Sequence, residues 1–354
     1  MAISAVDTVA LALEHTKRQL FRPFRFGQWT RLAFVGLLAG ELGSGGNPGF
    51  NSGRGGATNP LGHGFPKIDP TLLVGLISTI VITGLILFVL FVYISSIMRF
   101  ILFDSILKKE CRIREGWGRR QGIAFPYFLW QIGFSLATGV VAVLLFGLPI
   151  LFAYTAGWFT HARQHIPGLV LGGVILLCVF VVFCIVVAVV HVLTKDFVVP
   201  QMALEGIGPI EAWRRLLPLL KTEQGSYAGY IGMKIVLAIG AGILVTIATV
   251  LLVFMLAIPV IGVVVAAVVA GKGAGLTWNV FTITAAVVAG CIVFAVFMYL
   301  VAMISVPVIV FFPAFSIYFF APRYRALSVA LYPPPASAVT NPLPPDLPPA
   351  PVPA

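Results

Sequence analysis

The chain has 354 residues, of which 59% are hydrophobic and only 10% charged, and its mean hydropathy is +1.03. Soluble domains carry about 25% charged residues, so this composition excludes an ordinary water-soluble protein. Continuous apolar runs of about 20 residues are long enough to cross a hydrocarbon core of roughly 30 Å. Their lack of period-two alternation selects helices over barrel strands.

The N-terminal segment "MAISAVDTVALALEHTKRQLF" has no basic region ahead of an apolar core, so it is not read as a cleavable signal. Val6, Val9, Leu13 and Leu20 recur near helical spacing, with Asp7, Glu14, Lys17 and Arg18 elsewhere. This predicts an amphipathic helix over 5–20, lying on a membrane or on the rest of the protein. Next comes "FGQWTRLAF", with Trp29 and Arg31, leading into a short apolar segment from Leu32 to Leu42. As a helix those eleven residues rise about 17 Å, less than a full span. Residues 43–65 hold nine glycines and read as an external linker. They lack the GK[ST] of a phosphate loop.

Five strong spans follow, over about 71–98, 126–148, 168–194, 228–256 and 280–304. Between them lie "REGWGRRQG" around Trp117, Arg119 and Arg120, and "PIEAWRRLLPLL" around Trp213, Arg214 and Arg215. In the second, Ile210, Trp213, Leu217 and Leu220 share one helical face, and Pro209 suits the first turn. Residues 331–354 form a Pro-rich tail that cannot build a core and is expected to be disordered.

Charge arbitrates the topology. If the short segment crosses and the N-terminus is cytoplasmic, nineteen of the 23 basic residues fall inside, leaving Arg54, Lys67, Arg163 and Lys272 outside. If it does not cross, the five N-terminal charges move outside. The positive-inside rule favours six crossings with both termini cytoplasmic. The expected fold is therefore an all-α membrane domain over 1–330, with six spans arranged as three repeated hairpins and amphipathic cytoplasmic helices. Glu115, Trp117 and Arg119 match Glu211, Trp213 and Arg215 at an offset of 96 residues.

In each unit an indole at headgroup depth, with guanidinium groups reaching phosphates, reads as a lipid-interface anchor. The residues concerned are Trp29, Arg31, Trp117, Arg119, Arg120, Trp213, Arg214 and Arg215. The lipid is expected to be anionic. His161 and His165 stand at i, i+4, but no HExxH and no nearby acidic or Cys partner accompanies them. Cys111, Cys178, Cys184 and Cys291 have no CxxC spacing and read as small hydrophobes. Glu41, Asp104 and Lys234 fall near predicted span ends, and His191 reads as interfacial, so no transport pathway is marked. No metal, cofactor or nucleic-acid partner is expected.

At "TKRQLFRPFRFGQWTRLAFVGLLAGELGSGG" and "DFVVPQMALEGIGPIEAWRRLLPLLKTEQGSYAGYIGMKIVLAI" the chain resembles an uncharacterised family of prokaryotic polytopic membrane proteins. That family is distantly similar to the membrane domain attached to some glycerophosphodiester phosphodiesterases. The resemblance implies a multi-helix bundle in a prokaryotic plasma membrane and carries no catalytic residue across. The reading is a non-enzymatic bundle that binds an unknown protein partner or organises lipid. A small-molecule or lipid permease, or an integral lipid-modifying enzyme, are the alternatives.

Overall fold

The structure, a computed structural model, describes residues 5–22, 24–41, 70–159, 165–273 and 280–332. The Gly-rich linker at 43–65, His161, Arg163 and the Pro-rich tail beyond Tyr332 lie outside those residues.

The described residues are helical, with no strand among them. Helices α1 (Ala5–Phe21) and α2 (Phe26–Leu38) precede α3 (Pro70–Lys108). Then come α4 (Ile113–Ala142), α5 (Leu148–Thr155), α6 (Ile166–Leu193), α7 (Val199–Glu205) and α8 (Pro209–Thr222). Helices α9 (Gln224–Gly273), α10 (Val280–Phe320) and α11 (Arg325–Leu331) complete the chain. One wider π-turn, Val143–Gly147, joins α4 to α5, and another, Thr194–Val198, joins α6 to α7. Each ends two residues before a proline, Pro149 or Pro200. A proline has no N–H for the carbonyl four residues back, and a π-turn is one way for the helix to continue past that gap.

Five helical stretches are long and apolar enough to cross a membrane: Ile77–Lys108, Ile113–Thr155, Ile166–Glu205, Gln224–Gly271 and Phe281–Arg323. At 32 to 48 residues each is far longer than the ~20 that a bilayer needs. Each stretch packs at one end only, and in α9 the exposed apolar part also runs well beyond a bilayer's need. The most apolar window of each stretch is at most 6% buried, whereas Phe100, Ile101, Tyr127, Phe197, Tyr230 and Phe315 are almost wholly enclosed. Rings tie this core end together. Phe197 lies 5.1 Å from Tyr230, which stacks on Phe315 at 5.0 Å and 9°.

The expected short first span is a thirteen-residue helix, α2, not one of the five membrane-length stretches. It docks into the core end, burying Leu32, Ala33, Val35 and Gly36. A side chain added at Gly36 would come within 2.5 Å of the Ile309 side chain on α10, so that side chain packs directly on the glycine. Helix α1 forms where the periodicity predicts it, but its expected apolar face is only partly the one that packs. Thr8, Ala12, His15, Thr16, Gln19 and Leu20 are buried, while Val6 and Leu13 are exposed. Small and hydrogen-bonding side chains allow α1 to lie close along α10, and the larger apolar ones are left outside.

Candidate functional site

The three Trp-x-Arg segments begin helices in the same way. Trp29 is the fourth residue of α2, and Trp117 and Trp213 are the fifth residues of α4 and α8. All three indoles are half-buried against the core. Trp29 Nε1 donates to the Leu20 carbonyl at 3.1 Å, and its ring meets Phe21 and Phe24 at 5.7 and 5.6 Å. The Trp213 ring lies 6.5 Å from that of Trp130, and its buried Nε1 has no partner among the described residues. Helix α4 runs on from Trp117 into its apolar stretch, whereas α8 breaks at Glu223 before α9.

The arginines are largely turned toward the protein. Arg120 clasps Asp104 with two bonds, Nε to Oδ2 at 2.8 Å and Nη2 to Oδ1 at 2.5 Å. Arg119 adds a third to Oδ2 at 3.0 Å, and Arg120 Nη1 also donates to the Ala203 carbonyl. Arg31 reaches the Cys111 carbonyl at 3.4 Å. Arg215 holds Glu205 and Glu211. Arg214 alone of the set projects freely, with 83% of its side chain exposed and a 3.9 Å approach to Glu211. The eight candidate residues thus spread around the core end and do not converge on one site.

What does converge is a set of charges of which the sequence analysis placed only Glu41 and Lys234, each near a span end. Glu41, just past α2, pairs with Lys195 in the second π-turn. The next residue, Asp196, turns to a different element, pairing with Lys234 of α9 and accepting from the Tyr230 hydroxyl at 2.8 Å. Arg99 of α3 donates to the Tyr127 hydroxyl and, at 3.0 Å, to the Ala39 carbonyl. None of these five ionisable side chains is more than about a tenth exposed. The π-turn lets adjacent residues of opposite charge serve two neighbouring helices.

The missed signal was ionisable residues inside or abutting apolar runs, which mark functional positions in membrane proteins by default. Lys234 lies within the run at 228–256, and Arg99 and Lys195 each follow the last residue of another. Periodicity could not show that they meet, since the pairs join residues 154 and 38 positions apart. His191 is one turn before Lys195 and exposed. His165 stacks on Trp158 at 5.8 Å. No group of three His, Cys, Asp or Glu that could hold a metal occurs among the described residues.

A small cavity of about 30 Å³ adjoins the cluster, walled by Glu41, Arg99, Lys195, Asp196 and Ser316. A larger surface recess of about 400 Å³ lies at the base of α2, among Arg25, Arg31, Arg112 and Glu110.

Residues 3–330 match the Family of unknown function (DUF7544), and the chain belongs to that family. No curated protein and no solved structure matches it.

Proposed function

We propose that the protein is a non-enzymatic, multi-pass component of a prokaryotic plasma membrane that organises anionic lipid, or a protein partner, around a basic cytoplasmic collar. The observation that carries this reading is the division of the molecule into bare apolar arms and one packed, charged end. Helices whose apolar windows are at most 6% buried have lipid as their solvent. The polar chemistry is gathered where those arms would leave it. Amphipathic helices at the core end also keep apolar residues outward: Ile210 and Leu217 of α8, and Val6 and Leu13 of α1, are exposed. Exposed apolar stripes beside arginines suit the headgroup boundary.

Three helical hairpins and six crossings remain the preferred topology. Both α1 and α2 pack on the core end, as does α11, while Pro70 begins a helix whose last turns lie there. An even number of crossings fits the placement of α1, α2 and α11 at one end. The five long helices then return the C-terminal segment to the end it started from. The repeat is supported by the shared placement of Trp117 and Trp213. The similarity to a phosphodiesterase-associated membrane domain rests on the two quoted sequence stretches.

Within the interface set, Arg119, Arg120 and Arg215 act by holding the collar in shape. Arg214 faces the headgroups, joined by the exposed Arg22, Arg25 and Arg114, while the half-buried tryptophans pack on the core. Each such basic residue contributes about 1 kcal/mol at an anionic surface. Replacing Arg22, Arg25, Arg114 and Arg214 with Gln should cut retention of anionic phospholipid during purification at least tenfold and leave the helical signal intact. Wild-type lipid retention in a folded quadruple variant would reject the lipid-collar reading in favour of protein contacts.

A further inference from the structure

Helix α2 is charged against its own dipole. A helix start carries partial positive charge and favours acidic residues, yet α2 has none in its first turn and has Arg25 at its N-cap. The Arg25 side chain makes no bond to the helix start and pairs with no described residue. Arg31, farther along, makes only a 3.4 Å bond to the Cys111 carbonyl. The α3–α4 turn against which α2 packs is also locally unfavourable. Its Lys109 has a φ of +58°, a left-handed conformation that lysine rarely adopts, and Gln28 holds its carbonyl. Local rules broken together in one place point to a site that needs them broken.

These features surround one space, the recess of about 400 Å³ at the start of α2. Its wall sets three arginines, Arg25, Arg31 and Arg112, against one carboxylate, that of Glu110. Arg112 is already engaged, 3.2 Å from Glu110 and 3.4 Å from Glu115. The guanidiniums of Arg25 and Arg31 are left without a carboxylate among the described residues. A neighbouring recess that shares Glu110 and Arg112 is balanced by contrast, with Asp104, Glu110 and Glu115 against Lys108, Arg112 and Arg119. Gly27 lines the basic recess with backbone alone, and a side chain added there would meet nothing within 4 Å. The space is open, and its volume is that of a small-molecule site.

We propose that this recess binds a doubly charged phosphate group, with Arg25 and Arg31 as its charge partners. A forked guanidinium bonds phosphate oxygens in pairs. Two of them match the two charges of a phosphate that has lost its second proton, whose pKa is about 6. The group belongs either to a soluble phosphate or to the terminal phosphate of a lipid headgroup. Phe24 and Phe26, on either side of Arg25, are exposed and offer apolar surface beside the seat. The lipid source rests on the collar reading, and the soluble source does not. Gly27 and Arg31 lie outside the four arginines of the collar test, so the two readings can fail separately.

The test melts the full chain in detergent in sodium phosphate and in sodium chloride of equal ionic strength. The same protein is titrated with phosphatidic acid or phosphatidylglycerol and read by native mass spectrometry. The variants are Arg31→Gln and Gly27→Glu. The second puts an acidic residue in the first turn, which the helix dipole favours, so it should fold while turning phosphate away. A soluble-phosphate seat gives a saturable, phosphate-specific rise of a few degrees in Tm, which both variants reduce roughly threefold or more. A lipid seat gives roughly fivefold tighter binding of phosphatidic acid than of phosphatidylglycerol, a preference that both variants erase. The proposal is overturned if neither signal depends on Arg31 and Gly27. Phosphate then raises Tm equally in all three proteins, as a salt excluded from protein surfaces does, or not at all, and any lipid preference survives both substitutions. Equal retention of the two lipids by all three proteins, without a phosphate-specific rise, would reject the seat and leave the collar standing.

Discussion

Asp104 shows how much a single side chain can reassign. Arg119 and Arg120 were legible as a basic pair beside a tryptophan, and an interfacial role followed from that neighbourhood. Their carboxylate sits fifteen residues upstream on another helix, a distance at which helical periodicity carries no information. Once it is in place, three charge-assisted bonds of 2.5 to 3.0 Å make the pair a clamp between α3 and α4. His15 was not singled out at all, since a lone histidine in an amphipathic segment gives no signal. It lies in the buried face of α1, with Nδ1 3.1 Å from the Tyr318 hydroxyl and Nε2 3.2 Å from Gln19 Oε1. The Gln19 amide nitrogen donates to the Ser105 carbonyl at 3.0 Å, which leaves its oxygen to accept the imidazole proton. Burial, helped by the Lys109 charge and opposed by the hydrogen bonds to Gln19 and to the Ile106 backbone, lowers the pKa of His15 below its usual 6.5. The folded protein thus holds this proton less tightly than the unfolded chain does. The contribution is complete above pH ~6.5 and declines as the pH falls through and below that value. Thermal melts of wild type and His15→Gln should therefore diverge as pH is lowered from 7 to 5, with the wild type losing more. Parallel curves would place His15 outside this linkage.

At the scale of elements, every long apolar run became a helix, because twenty consecutive apolar residues leave the backbone no other way to satisfy itself in lipid. What the runs could not show is how far each helix continues past them. Residues 99–107 and 199–204 are helical and buried or nearly so, whereas the apolar runs end at 98 and 194, where charges and prolines interrupt them. In α1 and α8 the apolar stripe is split: Val6, Leu13, Ile210 and Leu217 are exposed, while Leu20, Pro209, Ala212 and Leu216 are buried. For a membrane protein both sides of an interfacial helix can be apolar, so the hydrophobic stripe alone does not say which side packs. Helix proximity decides instead, and Gly36 marks a close contact. Gly36→Ala would place a methyl 2.5 to 3.0 Å from three carbons of Ile309, a side chain only 1% exposed with little room to yield. It should cost about 1–3 kcal/mol, read as a lowered Tm or guanidinium midpoint in detergent. Gly229→Ala on α9 meets nothing within 4 Å. It should be neutral or stabilising by up to about 1 kcal/mol. Equal effects of the two substitutions would mean that α2 and α10 are not in contact at Gly36.

Over the whole molecule, the asymmetry of basic residues is the argument for an even number of crossings. Charge counting places nineteen of 23 basic residues on one side only if the chain crosses between the first basic cluster and the first long span. The packing of α2 bears on the same question. Gln28 donates to the Lys109 carbonyl at 2.8 Å and Arg99 to that of Ala39. Helix α2 thus runs antiparallel to the last turns of α3 and stops beside Arg99, at the base of the apolar arm. It packs in the core end and is not one of the five membrane-length stretches, so the six-crossing proposal rests on the charge asymmetry and not on α2. The proposed orientation puts this end in the cytoplasm, where basic segments are retained during insertion. Single cysteines introduced at Ser52 and Ala274 should then react with a membrane-impermeant maleimide in intact cells. Cysteines at Ser4 and Ser328 should react only after permeabilisation. Of the native thiols, Cys178, Cys184 and Cys291 lie in apolar arms and Cys111 is buried, so all four should stay silent. Labelling of Ser4→Cys and Ser328→Cys from outside, with Ser52→Cys protected, would invert the orientation. Labelling of Ser4→Cys alone from outside would separate the two termini and rule out the six-crossing arrangement.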